Sequence, residues 1–219
     1  MAEEWRLPCL TLPVGVGVGY QYTGDEYQTE STLFPNSEPR MHHSVVATIP
    51  EVGLAYTPLQ ITQKAAFGLK IDFRPVYGNS LFQIREPSKE GIESLKERIE
   101  SKSTFALETA VAVASQIKVA PKQQVEIAPG INGQWNIPTD FGIGVESLIL
   151  SAELGVRYIQ WVDSAFAWNI GIRLALPFYS IDSLGKEGEE ESSNEVQRVP
   201  STPNGFSTFL TFGTVFQLF

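Results

Sequence analysis

The sequence predicts an all-β protein, an eight-stranded antiparallel up-and-down transmembrane β-barrel with long extracellular loops, on three observations. Apolar residues recur with a period of two over long stretches, the residues between them are small or ionic, and the joining segments alternate between long and short. A period of two marks an extended strand. A strand greasy on one flank and small or ionic on the other fits a wall with lipid outside and a tightly filled lumen inside.

The strands are expected near residues 13–23, 43–56, 65–76, 104–118, 123–132, 148–160, 165–178 and 206–219, within one barrel domain covering 1–219. In the first, Val14, Val16, Val18, Tyr20 and Tyr22 oppose Gly15, Gly17 and Gly19. Three glycines facing water would weaken a soluble strand, whereas inside a narrow barrel they leave room for long side chains from across the lumen. The second and fifth contain Pro50 and Pro129, each of which removes a ladder donor. In the third, Phe67, Leu69, Ile71 and Phe73 oppose Gly68, Lys70, Asp72 and Arg74. The fourth sets Phe105, Leu107, Val111 and Val113 against Glu108, Ala110, Ala112, Ala114 and Gln116. The sixth ends in Gly155-Val156-Arg157-Tyr158 before a tight turn. The seventh is the clearest: Phe166, Trp168, Ile170, Ile172, Leu174 and Leu176 form one lipid-facing parity, with Asn169, Gly171, Arg173 and Ala175 on the other, and Pro177 near its end.

Connections 24–42, 77–103, 133–147 and 179–205 are long, and 57–64, 119–122 and 161–164 are short. Long extracellular loops and tight periplasmic turns produce that alternation. Tyr20, Tyr22, Tyr56, Tyr158, Trp161, Phe178 and Tyr179 fall near strand ends, where a ring touches acyl chain and headgroup together.

Composition narrows the function classes. A net charge of −9 with only 16 Lys plus Arg leaves no basic stripe for nucleic acid. One cysteine, Cys9, permits no internal disulfide and no Cys-rich zinc site, and neither a metal nor a cofactor is expected. No apolar run approaches the roughly 18–20 residues of a membrane-spanning helix. The N-terminal residues carry no secretory signal, so outer-membrane residence implies an export signal removed from this chain. A soluble lipocalin-like barrel is the rival that needs no membrane.

The last strand ends in Thr211-Phe212-Gly213-Thr214-Val215-Phe216-Gln217-Leu218-Phe219. Gly213, Phe216, Leu218 and the terminal Phe219 resemble the assembly signal of outer-membrane β-barrels, and the whole pattern is similar to small bacterial barrels of the OmpA-transmembrane, OmpX or OmpW type. That resemblance implies outer-membrane lipids and the barrel-insertion machinery as partners, and a narrow OmpW-like porin or channel for small apolar solutes. A surface-exposed adhesin, ligand-binding or structural envelope protein meeting host surface ligands is the alternative.

Lys70, Asp72, Arg74, Glu108, Glu126, Glu153, Arg157 and Arg173 share the inward parity and are read as lumen-lining. In an eight-stranded barrel such charges should pair across the lumen as a plug, or line a narrow pathway. In the second long connection Ile92, Leu95 and Ile99 fall at helical spacing, so 88–101 is read as a solvated loop or a short lid helix. Residues 185–195 are too acidic to pack and read as a mobile surface that attracts cations weakly. His42 and Ser44 share a parity and resemble the base and nucleophile of lipid-modifying outer-membrane acyl hydrolases and transferases, but no third member is assignable. The chain is therefore read as a non-enzyme, with no catalytic residue.

Overall fold

The computed structural model describes residues 7–25, 40–87, 95–137, 146–184, 197–201 and 204–218. Nine strands form one antiparallel sheet: β1 (Leu10–Asp25), β2 (Arg40–Thr62), β3 (Ala65–Pro87), β4 (Leu95–Ala120), β5 (Gln123–Ile137), β6 (Glu146–Trp161), β7 (Phe166–Leu184), β8 (Gln197–Ser201) and β9 (Asn204–Gln217). β8 and β9 follow one another along the same edge of β7, so together they make one stave. β9 pairs with β1, and β6 with β7, which closes an eight-stranded up-and-down barrel. Closure pairs every stave on both sides along the body of the wall, while β8 and the outer ends of β3 and β4 are paired on one side only.

The strands outrun their sequence-based bounds. β2 continues to Thr62, which leaves Gln63-Lys64 as the turn, and β3 and β4 pair outward as far as Pro87 and Leu95. Residues 95–101 are therefore strand, and the lid-helix reading fails there, while 88–94 lie outside the described residues. The acidic stretch 185–195 also lies outside them.

The sheet accommodates the three prolines without losing its continuity. At Pro50 and Pro177 the pairing slips, between Thr48 and Val52 on β2 and opposite Leu150/Ser151 on β6. Pro50 is among the skipped residues, where a missing N–H costs nothing, whereas Pro177 still stands opposite Ser151 and the skipped residue is Phe178; at both bulges the side-chain alternation changes phase. Before the first bulge Ser44, Val46 and Thr48 face inward; after it Glu51, Gly53, Ala55 and Thr57 do. The second bulge puts Phe178 and Tyr179 on the outside in succession. Around Pro129 the β4–β5 register is unchanged.

The exterior carries a continuous apolar band that includes Val16, Val18, Leu69, Ile71, Val111, Trp168, Ile170, Ile172, Leu174 and Leu176, all exposed. Val14 and Phe166, on the same parity, are half-buried. Outward aromatics bracket the band: Phe67 and Tyr77 on β3, Trp168 and Phe178 on β7, Phe206 and Phe216 on β9. Each pair is ten residues apart. At about 3.3 Å per residue and a tilt near 40°, that spacing spans roughly 25 Å, the height of the apolar belt of membrane barrels.

Candidate functional site

With lipid-side residues outside, what remains to carry chemistry is the barrel interior, which is stacked in three layers. The lowest, at the end of the short turns, holds Ile159, Trp161, Ala167 and Val215 as one buried cluster. Trp161 donates its indole N–H to Gln124 Oε1 at 3.1 Å. Its place is therefore inside the floor, 1% exposed, and not in the aromatic girdle where sequence position put it. It shares the inward parity of Arg157 and Ile159 on β6. Leu7 and Pro8 are buried beneath the same end, held by Thr57 Oγ1 donating to Pro8 O at 3.0 Å and Gln60 Nε2 donating to Leu7 O at 3.4 Å.

The middle layer is ionic. Arg74 grips Glu153 with both guanidinium nitrogens, Nη1 to Oε2 at 2.9 Å and Nη2 to Oε1 at 2.7 Å, while Nη2 also donates to Asp72 Oδ2 at 2.8 Å. Lys70 Nζ lies 2.8 Å from Asp72 Oδ2 and 3.5 Å from Glu126 Oε1. Arg157 donates from Nε to Glu126 Oε1 at 3.1 Å and pairs with it again through Nη2. Arg173 Nη1 lies within 2.7 Å of both oxygens of Glu108, and its Nη2 donates to Glu51 Oε1 at 3.3 Å. The Arg173 guanidinium also sits 4.0 Å from the centre of the Phe209 ring. Asn132 Nδ2 links the halves by donating to Glu108 and to Glu153 Oε2, the latter at 2.9 Å. The eight charged residues singled out from sequence thus meet in one connected network.

Two members were not anticipated. Glu51 reaches the layer because the Pro50 bulge shifts the phase of β2, and Thr48 Oγ1 donates to it at 2.6 Å. Asn132 lies on the predicted inward parity of β5 but carries no charge to attract notice. Four cations (Lys70, Arg74, Arg157, Arg173) meet five carboxylates (Glu51, Asp72, Glu108, Glu126, Glu153), a balance one negative charge from neutral. Such pairing offsets the desolvation that would otherwise forbid these groups in a dry interior.

The small residues make this layer possible. A Cβ added at Gly171 would come within 2.6 Å of Arg157 Cγ, and one at Gly53 within 2.2 Å of Asp72 Oδ1. The glycines of the inward parity are the space into which the long charged chains lie. What is left open is a cavity of ≈ 30 Å³ among Asp72, Arg74, Glu126, Glu153, Arg157 and Arg173. That is room for about one water.

Above the ions sits the third layer, a shelf of Val46, Val76, Ala106 and Phe209. Over it Gln21 Nε2 donates across the mouth to Gln134 Oε1 at 3.0 Å, and Gln134 Nε2 donates to Asn136 Oδ1 at 2.8 Å. Ser44 faces into this region and is buried, whereas the side chain of His42 lies outside the described residues. His43 points the other way, to the exterior, and shares a hydrogen bond with the Tyr20 hydroxyl. Gly213, at the end of β9, faces inward against Gly15, while Phe216 and Leu218 are exposed outside and Phe219 lies outside the described residues.

No protein-family model matches the chain, and no curated protein matches it in sequence. Among solved structures it is similar to the outer membrane protein OprG from Pseudomonas aeruginosa, with a TM-score of 0.53 and 9% identity over 97% of each chain. Neisserial surface protein A aligns over 95% of this chain and 97% of its own, at 10% identity and a TM-score of 0.39. The closed eight-stranded wall, the greasy exterior and the likeness to OprG give the chain the fold of the small β-barrels of bacterial outer membranes.

Proposed function

We propose that this protein is an integral barrel of the bacterial outer membrane whose lumen is shut to straight-through passage, and that it serves as a non-enzymatic anchor presenting its four long connections to ligands at the cell surface. The observation that carries the reading is the middle layer: an ion-paired network spanning the lumen, with space for about one water and an apolar layer on either side. Ions and water crossing it would have to separate buried pairs, each costing several kcal/mol to break. The greasy exterior supports outer-membrane lipids as the surroundings, and the terminal strand with Gly213, Phe216, Leu218 and Phe219 is the segment offered to the barrel-insertion machinery.

A second reading, the narrow OmpW-like passage for small apolar solutes, is favoured by the shelf of Val46, Val76, Ala106 and Phe209, which offers greasy contact just inside the mouth. Such a solute would reach the ionic layer and have to leave sideways through the wall. Refolded protein in planar bilayers and in liposomes separates the two. The shut-lumen reading expects no steady ionic conductance and no uptake of a small apolar dye into liposomes. Dye uptake without ion current would favour the passage, and a steady ohmic current would refute the shut lumen outright.

A further inference from the structure

We propose that the outer face of β1–β4 carries a site for one phosphorylated lipid of the outer leaflet, its acyl chain in a groove and its phosphate at the Tyr20–His43 pair; this rests on the membrane placement above. The groove is an open depression of ≈ 770 Å³ formed by Val18, Val45, Ala47, Tyr77, Gly78 and Phe105. It exists because of one small residue in a row of large ones. Hydrogen-bonded neighbours run Val18, Ala47, Tyr77, Phe105 across the four strands, and Ala47 leaves a trough between Val18 and the Tyr77 and Phe105 rings, whose centres are 5.0 Å apart.

The polar end is one step higher. His43 lies directly opposite Tyr22, and the Tyr20 hydroxyl reaches His43 Nδ1 at 2.5 Å. A phenol is the better hydrogen donor of the two, so the ring keeps its own proton on Nε2, where it is available to an acceptor outside. The Tyr22 ring, 5.2 Å from His43, holds the imidazole in place. On the other flank Ser103 Oγ donates to Asn79 Oδ1 at 3.3 Å.

Depth selects the occupant. Tyr77 belongs to the girdle nearer the long connections, so the trough runs along the part of the wall covered by outer-leaflet acyl chains, and the Tyr20–His43 pair stands at headgroup height. Apart from Asn79 and Ser103 on its upper flank the trough is apolar and continues the apolar band, so a flexible chain can fill it and a folded partner could not reach it. With the Tyr20 hydroxyl proton given to Nδ1, the outward Nε2–H of His43 is the donor left to meet a phosphate oxygen. A phosphorylated, multiply acylated glycolipid meets both demands.

The test is native mass spectrometry of the refolded full chain in detergent, titrated with diphosphoryl lipid A, dephosphorylated lipid A or phosphatidylcholine. One diphosphoryl lipid A should be retained, with a preference of about tenfold over the dephosphorylated form, the scale of one or two hydrogen bonds to a charged group. Ala47→Trp should fill the trough and cut retention of both glycolipids by about tenfold, whereas Ala152→Trp, another outward alanine on β6, should not. The double variant Tyr20→Phe/His43→Ala should keep acyl retention and lose the phosphate preference; adding no bulk, it carries the test alone if Ala47→Trp does not refold. Equal retention by the Ala47→Trp and Ala152→Trp proteins, or a phosphate preference unchanged in the double variant, overturns the site. Loss of insertion into liposomes by the wild type would instead strike the membrane placement, and is read separately from heat-modifiable migration in gels.

Discussion

Removing Arg74 should be among the most damaging single changes in the lumen. Its side chain is 3% exposed and gives three hydrogen bonds of 2.7–2.9 Å to Glu153 and Asp72, with Glu108 Oε1 a further 3.4 Å away. Arg74→Met keeps much of the length and removes the charge, so three cations are left against five carboxylates. Glu153 retains Asn132 at 2.9 Å and Arg173 at 3.5 Å, and Asp72 retains Lys70 at 2.8 Å. Each acid is therefore stripped of its best partner but not of all partners, which places the cost within the range for breaking a buried pair, about 3–5 kcal/mol. With a urea slope of about 2 kcal/mol/M, the unfolding midpoint should fall by roughly 2 M. The assay is urea unfolding of the barrel in lipid vesicles, followed by tryptophan fluorescence and by the fraction that migrates as folded in unboiled gels. Lys64→Ala, in an exposed turn, is the control and should stay within about 0.5 kcal/mol of wild type. If Arg74→Met behaves like the control, the ionic layer is not a compensated dry network, and the shut lumen loses its physical basis.

Two further changes address the floor and the wall. Trp161→Ala should cost about 3–5 kcal/mol in the same assay, because it empties the largest buried side chain of the lower layer and strands Gln124 Oε1; a loss under 1 kcal/mol would return Trp161 to the girdle. Ile172→Arg, midway between Trp168 and Phe178 and 59% exposed, should destabilise the vesicle-inserted barrel by about 2–4 kcal/mol. A neutral result in vesicles would deny that this face meets acyl chains.

Most of the architecture was legible because a two-residue period survives any detail of register: the parity of β1, β3, β4 and β7 in the sequence is the parity of their walls. What sequence concealed were the places where the phase changes. Pro50 and Pro129 read as threats to their strands, yet the register runs unchanged past Pro129, and a residue without an N–H is at home where the ladder slips, as at Pro50, whose slip turns Glu51 toward Arg173. The helical reading of Leu95 and Ile99 fails because a spacing of four fits a period of 3.6 and a period of two alike, and both residues lie in β4. Trp161 was misplaced for a different reason. Aromatics at strand ends are common at headgroups, but the inward parity that Trp161 shares with Arg157 puts it in the floor.

The distribution of charge among the staves bears on how the cylinder is made. Every ionic partner in the lumen comes from β2 to β7, whereas β1 between Thr11 and Gln21 and β9 between Gly205 and Val215 bring only uncharged side chains inward. The curled sheet of the six inner staves can therefore settle its electrostatics before its two ends meet. The last join is a zipper of main chain against main chain, with Gly15 abutting Gly213 at a distance no side chain would tolerate. Opening that seam breaks no ion pair, which makes it the natural gateway for a nascent wall to receive or release its final strand.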